Sequence, residues 1–526
     1  MLIPRLAVLW TDVVIWLAVI ALVIGCVQAR RNPRLRATWR RVLGDAPSLC
    51  SAVVLGFFLL ITVADSVHFQ RALAAAAQSR EAGSGAAASA ADAGSAERAS
   101  TVYDSRTESL LDVALSSLVR SREGSYSAPL AWHSFAKESV LVDGQPTRAV
   151  SRLNFGGAHL KDPKTEWASD VTWRAAMGAF AGLCVAALGW FAAAALLARR
   201  SATHTDASSA PTTWRQAILD IAANRTDLPL RAGLLTFAAI ALLAGPTIAL
   251  MSHYHVLGTD RTGNDVLYQA LKSVRTAFVI GTLATLATLP FAVAFGVLAG
   301  YLRGWVDEVI QYAYTTLSSV PNVLLIAACV LMMQTLLDQN PEWFDTSAQR
   351  SDIRLFLLCV ILGVTGWAGL CRLLRAETLK LRELEYVQAA QAFGVGPARI
   401  MSRHIFPNVL HLVLISTVLD FSALILYEAV LSYVGVGVDP AMNSFGGMIN
   451  LARSEMSRDP VVWWSFASAF GFMVTLVLAA NLFADGVREA FDPRGQLFKP
   501  KRIAKRKPAV AAPDIKSPDD PVGGRA

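Results

Sequence analysis

Nine stretches of this chain, residues 7–28, 48–67, 175–198, 232–251, 277–301, 306–336, 355–371, 410–433 and 464–487, are apolar over about the length of a bilayer-crossing helix, which is roughly 20 residues. Inside hydrocarbon each backbone N–H and C=O must be bonded within its own segment, so such runs fold as helices. The expected fold is an all-α polytopic membrane protein with about nine transmembrane helices. Charged residues make up only 17% of the 526, whereas soluble chains carry about a quarter. The sixth stretch is interrupted by Pro321. Its first part sets Asp307, Glu308 and Gln311 between Val306, Ile310 and Tyr314 and reads as an amphipathic helix at the interface.

Cys26, Cys50, Cys184, Cys329, Cys359 and Cys371 all lie in or at the ends of apolar stretches, with no C-x-x-C pair, so neither a disulfide framework nor a metal site is expected. The first stretch is too long for a signal peptide and lacks a small-residue cleavage site; it counts as a retained span. His253 and His255, at i and i+2 beside a membrane exit, read as interfacial residues and not as metal ligands. Trp305, Trp463 and Trp464 read as interfacial anchors.

Arginine sets the orientation. Arg30, Arg31, Arg34, Arg36, Arg40 and Arg41 crowd the loop between the first two stretches, which places that loop in the cytoplasm, the N-terminus outside and the C-terminus inside. The net charge of +8 is then a cytoplasmic excess. The tail residues Lys499, Lys501, Arg502, Lys505, Arg506 and Lys507 follow a membrane exit, where anionic headgroups attract basic side chains at about 1 kcal/mol each. The basic balance points to the bilayer and away from nucleic acid. Past Pro508 the tail is rich in Pro and Asp and reads as disordered.

One long extracytoplasmic loop spans residues 69–174. Residues 73–100 are dominated by Ala, Ser and Gly, a linker composition. Residues 101–173 are mixed and read as a small folded unit whose core is marginal unless it leans on the rest of the chain. His133, Ser134 and Asp143 lie there without a nucleophile elbow, and no activity is assigned to the unit.

The cytoplasmic stretch 375–408 reads helix, sharp turn, helix. Residues 383–393 are rich in helix formers, Gly394 and Gly396 supply backbone freedom, and Pro397 suits the first position of a new helix. With Arg399, Arg403 and His404 facing outward, this makes a rigid knob for a partner's pocket. Gln388-Ala389-Ala390, three residues, Gly394 and then twelve residues to Pro407 resemble the E-A-A…G…P coupling loop of ABC-importer permeases, with Gln388 in place of the usual Glu. Three further segments resemble the same family in the same order. Leu257 to Leu267, with Gly258, Thr259, Asp260, Gly263 and Asp265, is similar to an L-G-T-D-x-x-G-R-D-V-L signature at the extracytoplasmic entrance to a core span. Glu428-Ala429 with Leu431 to Gly437, Pro440 and Ser444-Phe445-Gly446 is similar to E-A-x-L-S-F-L-G-L-G…P…S-W-G. Asn481, Asp485 to Arg488 and Asp492-Pro493-Arg494 are similar to the closing segment. The chain thus resembles the C-type permease subunit of the dipeptide/oligopeptide/nickel family, with an N-terminal extension.

That resemblance implies a type I permease core of six spans at residues 231–494. Around it stand two N-terminal spans at 1–68, the outer linker and unit at 69–174, a third span with its linker at 175–230, and the tail at 495–526. A second alignment is open: Trp39-Arg40-Arg41-Val42-Leu43, leading into residues 51–62, also resembles the family's basic lead and first span. The outer unit and the two spans after it are then an insertion.

The resemblance further implies a multi-pass protein of the bacterial inner membrane that moves peptides or similar small solutes by alternating access. Its partners would be a homologous B-type permease subunit, two ABC ATPase subunits and an extracytoplasmic solute-binding protein. No G-x-x-x-x-G-K-[ST] motif occurs, so the chain is not expected to be an enzyme or hold a cofactor; ATP and Mg belong to the ATPase chains. Asp420 and Glu428, eight residues apart on one span face, are candidates for the translocation path, against local bonding of Asp420 to Ser416, Thr417 or Ser422 and a structural role for Glu428. Two other readings remain open: an ion-coupled secondary transporter, which predicts inverted repeats that the sequence does not show, and an outer sensor or enzyme anchored by the spans.

Overall fold

The computed structural model describes residues 5–72, 103–142, 145–203, 213–226, 228–344 and 346–491; the linker 73–100 and the tail past 491 lie outside them. Among the described residues, eight helices are long and apolar enough to cross a membrane, or nine when one bent pair counts as a span. They are α1 (Trp10–Arg31), α3 (Ala46–Asp65), α6 (Pro163–Thr203), α8 (Leu230–Leu250), α9 (Val266–Leu302), α11 (Asn322–Gln339), α16 (Phe406–Val434) and α18 (Trp464–Phe491). The bent pair is α12 (Ser347–Gly366) with α13 (Ala368–Arg382), at 41°. Pro321 divides the sixth apolar stretch as its sequence implies. The amphipathic α10 (Trp305–Ser319) precedes it, and only α11 is a span.

At 37 residues α9 is about 55 Å long at 1.5 Å per residue, more than the hydrocarbon needs. It is the central post: α3, α12, α13 and α16 pack along it, and α18 packs on α3 and α16. Small residues permit the close approach. A Cβ on Gly296 would meet the Cys371 carbonyl at 2.9 Å, and one on Gly281 would meet the Phe421 ring at 2.6 Å.

The other spans are peripheral. α6 and α8 form a hairpin, with Gly178 and Gly182 of α6 backed directly onto Gly245 and Ala241 of α8, while Phe180, Leu183, Leu188 and Leu196 are exposed as a lipid-facing surface would be. α8 also packs on α3, and α1 lies against α9 and α12. The amphipathic α2 (Pro33–Val42) folds back so that Trp39 meets Phe491 edge-on at 5.9 Å and Val42 is buried with Val487 and Ala490.

The unit between α3 and α6, expected to lie outside, carries the strands together with β1 from before α1. β1 (Arg5–Leu6), β2 (His68–Ala72) and β3 (Tyr103–Ser109) form an antiparallel sheet in that order, and β4 (Glu138–Val142) and β5 (Gln145–Ala149) form a hairpin. Two short helices, α4 (Leu110–Ala114) and α5 (Ser116–Arg120), follow β3. The unit leans on the spans: Leu111, Leu115 and Leu118 share one apolar cluster with Phe58, Val274, Ile425 and Met473.

Candidate functional site

The knob at residues 385–405 is packed on one side and open on the other. α14 (Glu385–Ala392) ends in a turn in which the N–H groups of Phe393, Gly394 and Val395 donate to the carbonyls of Ala389, Gln391 and Ala390 at 3.0, 2.9 and 3.1 Å. Gly394 takes φ +75° there, a left-handed conformation that favours glycine. Pro397 opens the short α15 (Pro397–Ile400), a wide π-type turn over Met401–Ile405 follows, and Pro407 lies in the first turn of α16. Val387, Ile400 and Ile405 are buried against Tyr301, Leu374 and Val409. Arg375 on α13 grips Asp307 of α10 through two bonds of 2.5 and 2.7 Å, and Arg382 donates to the Tyr301 carbonyl at 2.6 Å. On the open side Phe393 is 87% exposed, and Gln388, Ala389, Gly394, Arg399 and Pro407 are exposed with it, while Ala390 is half-buried. The Gln388 amide donates to the Glu383 carbonyl at 3.2 Å, so this uncharged residue is tied back to its own loop.

At the other end of α9 lies a socket. Asp260 gathers the N–H groups of Thr262 and Asn264 on one oxygen, at 2.8 and 2.9 Å, and Gln269 on the other. Asp265 caps α9 by accepting from the Tyr268 N–H at 3.1 Å. Thr259 is threaded into the outer unit: its hydroxyl accepts from the Ser127 N–H at 2.6 Å and donates to the Ser125 carbonyl at 2.9 Å. Gly258 and Gly263 have φ +76° and +75°; a Cβ on Gly263 would fall on the Glu123 carbonyl.

Two residues that read as interfacial from sequence are buried in this socket. Trp464 is 2% exposed, and its indole N–H donates to the Thr259 carbonyl at 2.9 Å; the outer unit covers the span end that hydropathy assigns to the interface. Trp463 and Trp305 are exposed. His255 is fully buried between two carboxylates, with Nδ1 2.7 Å from Asp265 and Nε2 3.6 Å from Glu123. Burial alone would depress the imidazole, but Asp265 and Glu123 raise its pKa to about 9. Burial likewise opposes ionisation of Glu123, yet His255 and the N–H groups of Asn154, Phe155 and Gly156 bring it down to about 2. The pair is therefore an ionised staple between outer unit and core. Among the described residues no group of three His, Cys, Asp or Glu side chains is arranged to hold a metal ion.

The two span acids part company. Glu428 is buried and accepts from Ser432 Oγ at 2.6 Å; the same hydroxyl accepts the Val438 N–H at 3.1 Å, drawing the loop after α16 back onto the helix. Asp420 is half-buried and has no hydrogen bond or ion pair among the described residues. Two of its three local candidates are engaged elsewhere: Thr417 donates to the Val413 carbonyl and Ser422 to Asn481 and the Leu419 carbonyl.

A polar network that sequence reasoning missed joins the N-terminal span to the core. Arg275 of α9 donates to Asp12 at 2.5 Å and Thr11 at 3.0 Å. Asp12 also meets His68 at 2.8 Å, and Thr11 bonds Asp352 of α12. Lys272 pairs with Asp65 at 2.7 Å and Asp112 at 2.9 Å. Beside them lies a cavity of about 380 Å³. Opposite charges within or beside separate apolar stretches, Asp12 in the first and Arg275 just before the fifth, were the available signal.

Comparison with known proteins agrees with the fold. The family described as binding-protein-dependent transport system inner membrane component matches residues 292–495. The oligopeptide transport system permease protein OppC of Haemophilus influenzae is 32% identical over 251 residues, 48% of this chain and 73% of that protein. OppC of Mycobacterium bovis is 30% identical over 47% of this chain and 78% of that protein, and OppC of Escherichia coli K12 is 31% identical over 46% and 74%. With six spans of a type I core, extra N-terminal helices and this coverage of its relatives, the chain belongs to the OppC-type family of ABC-importer permeases, multi-pass components of the inner membrane.

Proposed function

We propose that this chain is the C-type permease half of an ATP-driven importer of peptides or similar small solutes, working by alternating access with a B-type permease, two ATPase subunits and an extracytoplasmic binding protein. The observation that carries this reading is the knob: a left-handed turn at Gly394 with Phe393 laid bare, on a base immobilised by Val387, Ile400 and Ile405. A rigid protrusion of this kind transmits a push from a docked partner to α13 and α16. Gln388, bonded to the Glu383 carbonyl, then presents no charge to the partner.

The six core spans in this reading are α3, α9, α11, the bent α12–α13 pair, α16 and α18. The support is packing: α3 runs along α9 and α18, whereas α8 runs along α6 and α3. The core thus starts near Ala46, with α1 and α2 as its lead and the outer unit plus the α6–α8 hairpin as an insertion. The arginines around α2 set the N-terminus outside and the C-terminus in the cytoplasm. Asp420 serves the path, because an unpartnered, half-exposed carboxylate in mid-span faces water or protein and not lipid; Glu428 serves the outer loop.

The test is co-purification of the chain with its ATPase subunits, followed by uptake into vesicles. The reading requires a stable complex and uptake that stops on ATP depletion. Transport that survives ATP depletion overturns it.

A further inference from the structure

At the end of α1 opposite the outer unit lies an open surface concavity of about 420 Å³ lined by Arg30, Arg31, Arg36, Arg40 and Arg41, with Pro33 and Ala37 between them. Among the described residues no carboxylate lines it. Arg30, Arg31, Arg36 and Arg41 have no acidic partner among those residues, so like charges face one another across a small concave space, an arrangement that an anion relieves. α2 is not free to open the pocket, because Trp39 and Val42 pin its other face to Phe491, Val487 and Ala490.

What lies beside the pocket identifies the anion. Ile20, Ile24 and Val27 of α1 are exposed, and spacings of four, three and four place them with Arg31 on one face of the helix. An apolar strip about 10 Å long therefore leads directly into a concavity lined by five arginine side chains. A soluble phosphate would satisfy the arginines and leave the strip unused; a phospholipid satisfies both. Guanidinium is the side chain suited to grip phosphate oxygens in pairs.

We infer that the Arg30–Arg41 pocket is a binding site for the phosphate headgroup of an anionic phospholipid, whose acyl chains lie along Ile20, Ile24 and Val27. The inference does not depend on what the protein transports.

The experiment uses the purified full chain in neutral detergent, with phosphatidylglycerol or phosphatidylcholine added and the retained lipids counted by native mass spectrometry. The wild-type chain is expected to retain phosphatidylglycerol at least tenfold over phosphatidylcholine. The triple variant R36Q/R40Q/R41Q should lose that preference, while the tail variant K505Q/R506Q/K507Q keeps it. Arg30, Arg31 and Arg34 remain in the loop variant to preserve insertion. Should it nonetheless fail to insert, R36K/R40K/R41K keeps the charge, removes the paired geometry and should reduce the preference severalfold. Equal preference in wild type and loop variants overturns the site. Displacement of the lipid by inorganic phosphate or glycerol phosphate at equal concentration overturns the lipid assignment in favour of a soluble anion.

Discussion

Asp12, on the first span, and Arg275, on the central helix, are buried together with 2.5 Å between Oδ1 and Nη2. The N-terminal extension thus supplies the counter-charge of a core arginine, and the core is incomplete without it. Removing one member takes the nearest counter-charge from a buried ion, a loss of up to about 3–5 kcal/mol, whereas replacing both with apolar residues of similar volume is near neutral. Asp12→Ala is expected to lower the thermal unfolding midpoint of the detergent-purified chain, and D12L/R275M to recover most of the loss. Equal losses in both variants would show that the pair does not hold the extension to the core.

The His255–Glu123 staple makes the docking of the outer unit depend on pH. The imidazole pKa is raised from 6.5 to about 9, so its contribution is complete below about pH 6.5 and is lost as pH rises through 9. The Glu123 carboxyl is lowered from 4.5 to about 2, so its contribution is complete above about pH 4.5 and is lost as pH falls through 2. Protease cleavage within residues 123–156 is expected to accelerate above pH 8. His255→Gln should abolish that dependence, and a profile unchanged in the variant would contradict the staple.

At Gly263 the core is packed against the outer unit with no room for a side chain. A methyl group there lands on the Glu123 carbonyl and the residue has φ +75°, so Gly263→Ala incurs both overlap and backbone strain, the latter about 1–2 kcal/mol. Gly471→Ala, with open space around its Cβ, is the matched control. Hydrogen exchange should rise over residues 123–135 in the first variant and stay unchanged in the second.

Asp420 and Glu428 are expected to behave differently. In a chain with its six cysteines replaced, Asp420→Cys should react with a charged, water-soluble thiol reagent in reconstituted vesicles. Leu188→Cys, on the exposed face of α6, should react only with a lipid-soluble one. Asp420→Asn should reduce uptake at least tenfold with insertion intact. No labelling of the introduced thiol at position 420 in any nucleotide state would take the path away from that face.

Much of this architecture is legible in the residues because hydrocarbon imposes its rule one segment at a time. The apolar runs mark the spans, Pro321 marks the break between α10 and α11, and Gly394 with Pro397 marks the turn of the knob. Pairing between segments is not written locally. Hydropathy ranks α3 and α8 alike, and only their packing distinguishes a helix set against α9 and α18 from one set against α6. Trp464 and His255 mislead for the same reason: each stands at a span end, where amphipathic side chains normally meet the interface, but here the outer unit covers them. Asp12 and Arg275 carry a signal only when read together, 263 positions apart in the chain.

The central claim, that the knob couples this permease to an ATPase, is tested most directly through Gly394. Nothing lies within 4 Å of the position a Cβ would take there, and Asp tolerates a left-handed conformation better than most residues. Gly394→Asp therefore leaves the chain able to fold while placing a carboxylate where the partner would sit. ATP-driven uptake by the reconstituted complex is the measurement. The variant is expected to insert at wild-type level and to lose uptake together with the bound ATPase; wild-type uptake with the ATPase retained would contradict the claim.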